Sequence, residues 1–333
     1  MATSGGTTAP NAQSADVPKP DTKKKGTWTV DQELAGGPLD AALRALTSSS
    51  WNVARDAIRT GKVSVDGDVV TEIIAPVRRG EAITLDPTAP RPRTRAVLEL
   101  AQDSVVHLDG AVVVVRKPSG ISTIPFGDEA PGQELMTFDA LVREVIARRT
   151  SFRGRAPLGV VHRLDKDTSG LLVFTRTVDA KKHLTQQFRD HTVLREYVAI
   201  VHGILDRETT YRTHLVQDRG DGLRGSAQRG RRDGQLAITH VKPLQALKGA
   251  TLVACRLETG RTHQIRIHLS EAGHPLVGEV VYTRRFRGPQ IPALRTMLHA
   301  RRLGFLHPTS EEEMRWEDDP PADFREVLAR LTI

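Results

Sequence analysis

The distribution of apolar positions divides the chain into three stretches. Residues 1–27 carry almost no large apolar side chains and are dominated by Thr, Ala, Gly, Pro and Lys, ending in DTKKKG. Such a segment cannot bury enough surface to offset its ordering entropy, so a disordered tail is expected. Residues 28–87 look different. Leu39, Ala42, Leu43 and Leu46 recur at helical spacing, and Val53, Ala54, Ala57 and Ile58 repeat the pattern. The serines at 48–50 can cap the second helix, and Gly61 ends it. KVSVDGDVV then places alternating valines around Asp66-Gly67, a strong hairpin signal. A small helix-helix-hairpin unit is predicted.

DPTAPRPRTRA, at 86–96, interrupts both helix and central strand with proline, and its arginines keep it hydrated. A linker is placed at 88–97, and a second, larger domain at 98–333. Strand-like runs recur at 159–161, 171–175, 196–202, 236–241 and 251–257, with another in AVVVVRKPSG. Helical patterns fall at 137–149 and 179–191, the second carrying Ala180, His183, Leu184, Gln187 and Phe188 at the expected spacing. Strands often follow strands directly. This predicts an α+β fold with a mixed, largely antiparallel central sheet. The Gly- and Arg-rich segment 217–235 reads as a mobile loop and a second RNA contact.

Composition narrows the function. A formal charge of +8 over 333 residues points to a polyanionic partner. No apolar stretch approaches the ~20 residues that span a bilayer, and the N-terminus lacks the apolar core of a secretory signal. A soluble, cytoplasmic, monomeric protein is expected. One cysteine, Cys255, excludes intrachain disulfides and cysteine-based zinc clusters. No phosphate-binding glycine loop, dinucleotide fingerprint or serine-hydrolase elbow occurs. His263 and His268 stand five apart, missing the spacing that puts two ligands on one helix face. Neither a metal nor a cofactor is expected.

Three polar stretches sit in core-like surroundings. In GVVHRLDKDTSGLLVFTRT, apolar runs flank Asp165, and Arg163 and Lys166 would favour its ionised form. A solvated ion-pair cluster and a catalytic carboxylate both fit. In LREYVAIVHG, Tyr197, Ala199 and Val201 share one face, where the phenol either fills the core or stacks on a base. In ETGRTHQIRIHLSEAGHPLVG, Thr262 can cap a short helix ended by Gly273 and Pro275, with strand alternation through Ile265, Ile267 and Leu269 as the competing pattern. Either way, Arg266 lies among apolar residues and needs a carboxylate or phosphate partner.

HRLDKDTSG (162–170), EYVAIVHG (196–203), TGRTHQIRIHL (259–269) and GHPLVGE..Y (273–282), in this order, closely resemble the RluA/RluD-type family of RNA pseudouridine synthases. VVVVRKPSGI (112–121) and LHARRLGFLHP (298–308) match its flanking motifs. AIRTGKVSVDGDVV (57–70) resembles the S4-type RNA-binding domain. The chain departs from these patterns at Glu279, where Asp is usual, at Arg116, where Asp or Asn is common, and at STIP (122–125), which replaces a His-Pro. Trp51 follows Ser50 where the S4-type pattern often has Ser-Arg, which either weakens a phosphate contact or replaces it by stacking.

The resemblance implies isomerisation of uridine to pseudouridine in RNA, most naturally large-subunit ribosomal RNA, with transfer RNA as the alternative substrate. Asp165 would be the catalytic aspartate, Arg266 its cationic partner and Tyr197 the aromatic residue against the target uracil. Arg163 would take the place of the flipped base, and Leu164 would line the pocket. His162, Gly260, Arg261, His263 and Gln264 would complete substrate binding. Arg44, Arg55, Arg59 and Lys62 would contact RNA from the S4-type domain. The rival reading is a ribosome-assembly factor that binds RNA without chemistry. Retention of Asp165, Tyr197 and Arg266 together argues against it.

Overall fold

The computed structural model describes residues 25–71, 73, 75–90, 100, 102–125, 137–150, 154, 156–220, 222–227, 233–283 and 286–332. Two compact units result, Met1–Val97 and Leu98–Ile333. The first holds β1 (Gly26–Thr29), α1 (Leu39–Thr47), α2 (Trp51–Arg59), β2 (Val63–Val65), β3 (Asp68–Val69) and β4 (Ala82–Leu85). Its antiparallel strands run in the order β1-β4-β2-β3. Leu39, Ala42 and Leu43 of α1 and Ala54 and Ile58 of α2 pack on Val30, Val63, Val77, Ile83 and Leu85. Ser50 caps α2, its hydroxyl accepting from the Val53 amide at 3.3 Å. Asp66 and Gly67 both take positive φ, 50° and 92°, as a tight two-residue hairpin requires.

One boundary differs from expectation. Strand β1 begins at Gly26, inside the stretch expected to be a disordered tail. Pairing with β4 and packing of Trp28 on the small core supply what local composition lacks. Residues 1–24 and most of the predicted linker, 91–97, lie outside the described residues.

The second unit opens with β5 (Val105–Leu108) and β6 (Val112–Lys117), then α3 (Phe138–Thr150), β7 (Gly159–Val160), β8 (Ser169–Thr175) and α4 (Val178–Arg189). It continues with β9 (Leu194–His202), β10 (Thr209–Val216), β11 (Gly225–Ser226), β12 (Gln235–Leu247) and β13 (Ala250–Leu257). The last elements are α5 (Gln264–Glu271), β14 (Leu298–Leu306), β15 (Glu313–Glu317) and α6 (Ala322–Leu331). The strands form one sheet in the order β11-β10-β12-β13-β9-β14-β8-β6-β5, with β15 against β14 and β7 against β8. Among the described pairings only β14 with β8 is parallel. The fold is therefore α+β on a mixed, largely antiparallel sheet. No helix among the described residues is long and apolar enough to cross a membrane.

Burial on both faces explains the unbroken apolar run in β6. Val113 and Val115 pack with Leu172, Phe174 and α3, whereas Val112 and Val114 pack with Leu171, Val173, Ala180 and Leu184 on the α4 side. Segment 217–235 is less loop-like than expected. Its described part includes β11, paired to the end of β10, and Glu271 fixes it by accepting from the Ser226 amide at 3.0 Å and hydroxyl at 2.5 Å. Residues 221 and 228–232 of that segment lie outside the described residues.

The turn that leads into β8 closes on Asp165. Ser169 and Gly170 already belong to β8, and the turn closes earlier, where the Thr168 amide donates to the Asp165 carbonyl at 3.1 Å. Gly170 is required for a different reason. It has φ 113°, and a Cβ there would stand 2.3 Å from the Ala300 carbonyl oxygen, at the β8–β14 contact. Gly170→Ala should therefore destabilise the protein by about 3 kcal/mol or more, read as a fall in the chemical-denaturation midpoint.

Candidate active site

The loop from β7 to β8 carries Asp165, and buried groups hold its backbone from beneath. Lys117, at the end of β6, is only 1% exposed. Its ammonium donates to the carbonyls of Pro118 (2.8 Å), Lys166 (3.0 Å) and Thr168 (2.9 Å). Gly120 donates its amide to the same Lys166 carbonyl at 2.9 Å. Thr123 clamps Leu164, donating to its carbonyl at 2.8 Å and accepting from its amide at 3.2 Å. Arg295 donates to the Asp167 carbonyl at 3.1 Å while pairing with Asp323 of α6 at 2.6 Å. The segment STIP, a departure from the family pattern, thus supplies a clamp through Thr123.

Asp165 is left with its side chain partly exposed, and its oxygens make no hydrogen bond among the described residues. A guanidinium and an imidazole face it at longer range. Arg266 Nη1 is 3.9 Å from Oδ2, and His263 Nε2 is 3.9 Å from Oδ1. Neither distance is a hydrogen bond. The Arg266 side chain is committed elsewhere. Nε and Nη2 each donate to Glu279 at 2.7 Å, a two-pronged buried pair. This corrects the expectation that Asp165 is the chief partner of Arg266. Glu279, one turn of chain beyond α5, takes that place, and Arg266 presents its remaining nitrogen to Asp165.

The buried pair is itself well served. Glu279 Oε1 also accepts from the amides of Val280, Val281 and Tyr282. Burial pushes the Glu279 carboxyl up, but its bonds to Arg266 and these amides outweigh that and hold it below the usual range. Tyr282 lies beneath the Arg266 guanidinium, 5.3 Å from its ring centroid, and its hydroxyl bonds His263 Nδ1 at 2.8 Å. Burial holds His263 below its ordinary value, despite the opposing pull of Asp165. Glu279 and Tyr282 are site residues that motif reading left without a role, although both lie within the matched stretch.

Asp165 and Arg266 open onto a cleft of about 560 Å³ that Tyr197, Leu164, Arg163 and His162 also line. Tyr197, on β9, shares the core face with Ala199 and Val201. Burial pushes its phenol up to about 12, so the hydroxyl stays protonated at neutral pH. Arg163 reaches across the opening, donating from Nη2 to the Thr262 hydroxyl at 2.8 Å. Thr262 therefore does not cap α5; His263 precedes the helix in the left-handed region at φ 58° with no side-chain cap.

The remaining predicted substrate contacts divide. Gly260 borders the cleft beneath Arg195, where a Cβ would stand 2.7 Å from Nη1. Arg261 donates from Nε to the Leu236 carbonyl at 3.0 Å. Gln264 is a correction. Its oxygen accepts from Thr259 and the Arg261 amide, and its nitrogen donates to the Ile238 carbonyl and to Thr239. No polar group of that side chain is left for a substrate; it fixes the turn into α5 instead. His162 likewise accepts from the Val173 amide and stacks on Phe188, ring centroids 4.8 Å apart. In the first unit, Arg55 pairs with Asp40 and the Lys62 ammonium donates to the Ala89 carbonyl, leaving Arg44 exposed. The Arg59 side chain lies outside the described residues.

The sequence profile of RNA pseudouridylate synthase matches residues 111–271. A ribosomal large subunit pseudouridine synthase D of Zymomonas mobilis is 33% identical over 92% of this chain and 97% of its own. The uncharacterized RNA pseudouridine synthase YlyB of Bacillus subtilis is 34% identical over 91% and 97%. This chain belongs to the RluA/RluD-type family of RNA pseudouridine synthases. Among solved structures, human RNA pseudouridylate synthase domain containing 4 matches with a TM-score of 0.55 and 25% identity, over 69% of this chain and 93% of that one. An RNA pseudouridine synthase of this family thus presents one unbonded carboxylate to its cleft, faced by an arginine that another carboxylate holds.

Removing Glu279 would strand a buried guanidinium. Glu279→Ala should cost about 3–5 kcal/mol in a denaturant titration. Glu279→Asp should cost less, because one of the paired bonds can persist.

Lys117 yields a test in pH. Burial lowers its ammonium from the ordinary 10.5 to about 7, although Asp167 and Asp165 pull it upward. Between these two values the unfolded chain binds more protons at this site than the folded one, so the contribution to stability rises with pH. Wild-type stability measured relative to Lys117→Met should climb from pH 7 towards 10; a flat difference would show an ammonium that keeps its ordinary affinity.

Proposed function

We propose that this synthase isomerises uridine in unpaired segments of large-subunit ribosomal RNA, with Asp165 as the catalytic carboxylate. The observation that carries this is the pairing of an unbonded Asp165 with an Arg266 whose position Glu279 fixes. A carboxylate saturated with hydrogen bonds would be a poor reagent; one left bare in water would be loosely placed. Here the loop backbone is rigid and the oxygens are free.

The reaction breaks the bond between the ribose and the ring nitrogen of uracil, turns the base, and forms a bond from the same ribose carbon to a ring carbon. That carbon loses its proton and the nitrogen gains one. Asp165 acts on the ribose. Arg266 faces it at 3.9 Å, which leaves a reacting atom room to approach. Tyr197 offers its ring as a surface for the detached base and a protonated hydroxyl at the cleft. The bond to be broken is inaccessible within a stacked helix, so the nucleotide must flip out, at a cost of a few kcal/mol. Arg163, spanning the opening to Thr262, is placed to fill the space that the base vacates. Substrates with unpaired loops lower that cost.

Two comparisons support ribosomal RNA. The relatives named for the large ribosomal subunit align over nearly the whole chain, so the first unit is shared with them. That unit has the two helices and hairpin of an S4-type domain, which we assign to RNA binding through Arg44 and its neighbours. The work would take place in the cytoplasm, where ribosomal subunits are built.

Deleting the gene and mapping pseudouridines in ribosomal and transfer RNA tests this directly. A ribosomal site should disappear, return with the wild-type gene, and stay absent with Asp165→Asn, while that variant still binds RNA. Restoration by Asp165→Asn would sink the role of Asp165. A lost site in transfer RNA alone would overturn the substrate.

A further inference from the structure

Trp51 opens α2 and keeps 41% of its surface exposed. It takes no part in the core of its unit, where Trp28, Leu46 and Ala57 pack around the buried residues instead. Two guanidinium groups lie over its ring. Arg44, in the last turn of α1, is 4.9 Å from the centroid, and Arg55, one turn further along α2, is 5.0 Å away. The two arginines are held differently. Arg55 donates to Asp40 at 2.7 Å, and Asp40 is 2% exposed, so this guanidinium is fixed in place. Arg44 lies at the surface and has no ion-pair partner among the described residues.

A phosphate site would need the cations but not the indole, and a packing residue would be covered. What uses both is a nucleotide whose base stacks and whose phosphate seeks a charge. We propose that Trp51, with Arg44 and Arg55, is a stacking platform for one unpaired RNA base, and that Arg44 reaches the adjoining phosphate. The proposal rests on the assignment of this unit to RNA binding and adds the form of RNA it selects. Indole and guanidinium planes both stack on bases without regard to sequence. A paired base is already stacked within its helix and cannot use the platform. The unit would therefore favour loops, bulges and single strands over duplex, the same class of RNA in which a target uridine can flip.

The test compares full-length wild type, Trp51→Ala, Trp51→Phe and Arg44→Ala for binding to two labelled probes: a short single-stranded oligoadenylate and an RNA duplex of equal length. Trp51→Ala should weaken single-strand binding about tenfold or more while changing duplex binding less than about twofold. Trp51→Phe, which keeps an aromatic plane, should recover most of the loss. Arg44→Ala should flatten the salt dependence on the single strand. Unchanged single-strand binding by Trp51→Ala, or an equal loss on both probes, overturns the platform. A wild type that makes pseudouridine but is indifferent to Trp51→Ala sinks the platform alone; one that binds neither probe and makes no pseudouridine sinks the RNA assignment with it.

Discussion

The Arg266–Glu279 pair is the constraint on which the active site depends. An arginine placed to face Asp165 must leave water, because the cleft floor is apolar core, and a buried cation without a partner is costly. Had Asp165 been that partner, two short bonds would have tied up the carboxylate that must react. Glu279 removes the conflict by taking Nε and Nη2, so that Asp165 feels the charge of Arg266 at 3.9 Å without being bonded to it. The three amides that serve Glu279 from behind then fix where the arginine stands.

The same division of labour runs through the loop. Lys117, Gly120, Thr123 and Arg295 bind its backbone carbonyls and amides, not its side chains. Rigidity comes from main-chain bonds to buried donors, and the functional groups of Arg163 and Asp165 stay unspent or loosely tethered. Arg295 extends this support to the C-terminal helix through Asp323, so α6 contributes to the placement of a loop far from it in sequence.

Local pattern made some of this legible and hid the rest. The amphipathic spacing of α1, α2 and α4 and the apolar runs of β6, β8 and β13 were readable because burial alone decides them. Strands β10 and β14 were not. TTYRTHLV is mostly polar on its open face, and LHARRLGFL breaks its alternation at the irregularity between Ala300 and Arg302. Both are strands because neighbours complete their ladders, which is a property of the sheet and not of the segment. Trp28 and β1 follow the same logic.

In the site, residue type identified the reactive groups but not their pairing. Arg266 visibly needed an anion, and the resemblance offered Asp165, with Glu279 noted only as standing where Asp is usual. Charge could not choose between them, since both are carboxylates brought near by different turns. Geometry chooses: Glu279 meets Nε and Nη2 of the guanidinium at 2.7 Å, whereas Asp165 sits on a loop whose backbone is already fixed and stands 3.9 Å from Nη1. Gln264 was misread for a related reason. A polar residue beside a catalytic motif resembles a substrate contact, yet its four hydrogen bonds all close within the protein. A side chain can reach a ligand only with bonding capacity left over, and that remainder is set by the folded neighbourhood. By that measure Asp165, Tyr197, the outward nitrogen of Arg266 and, in the other unit, Arg44 beside Trp51 keep capacity to spare.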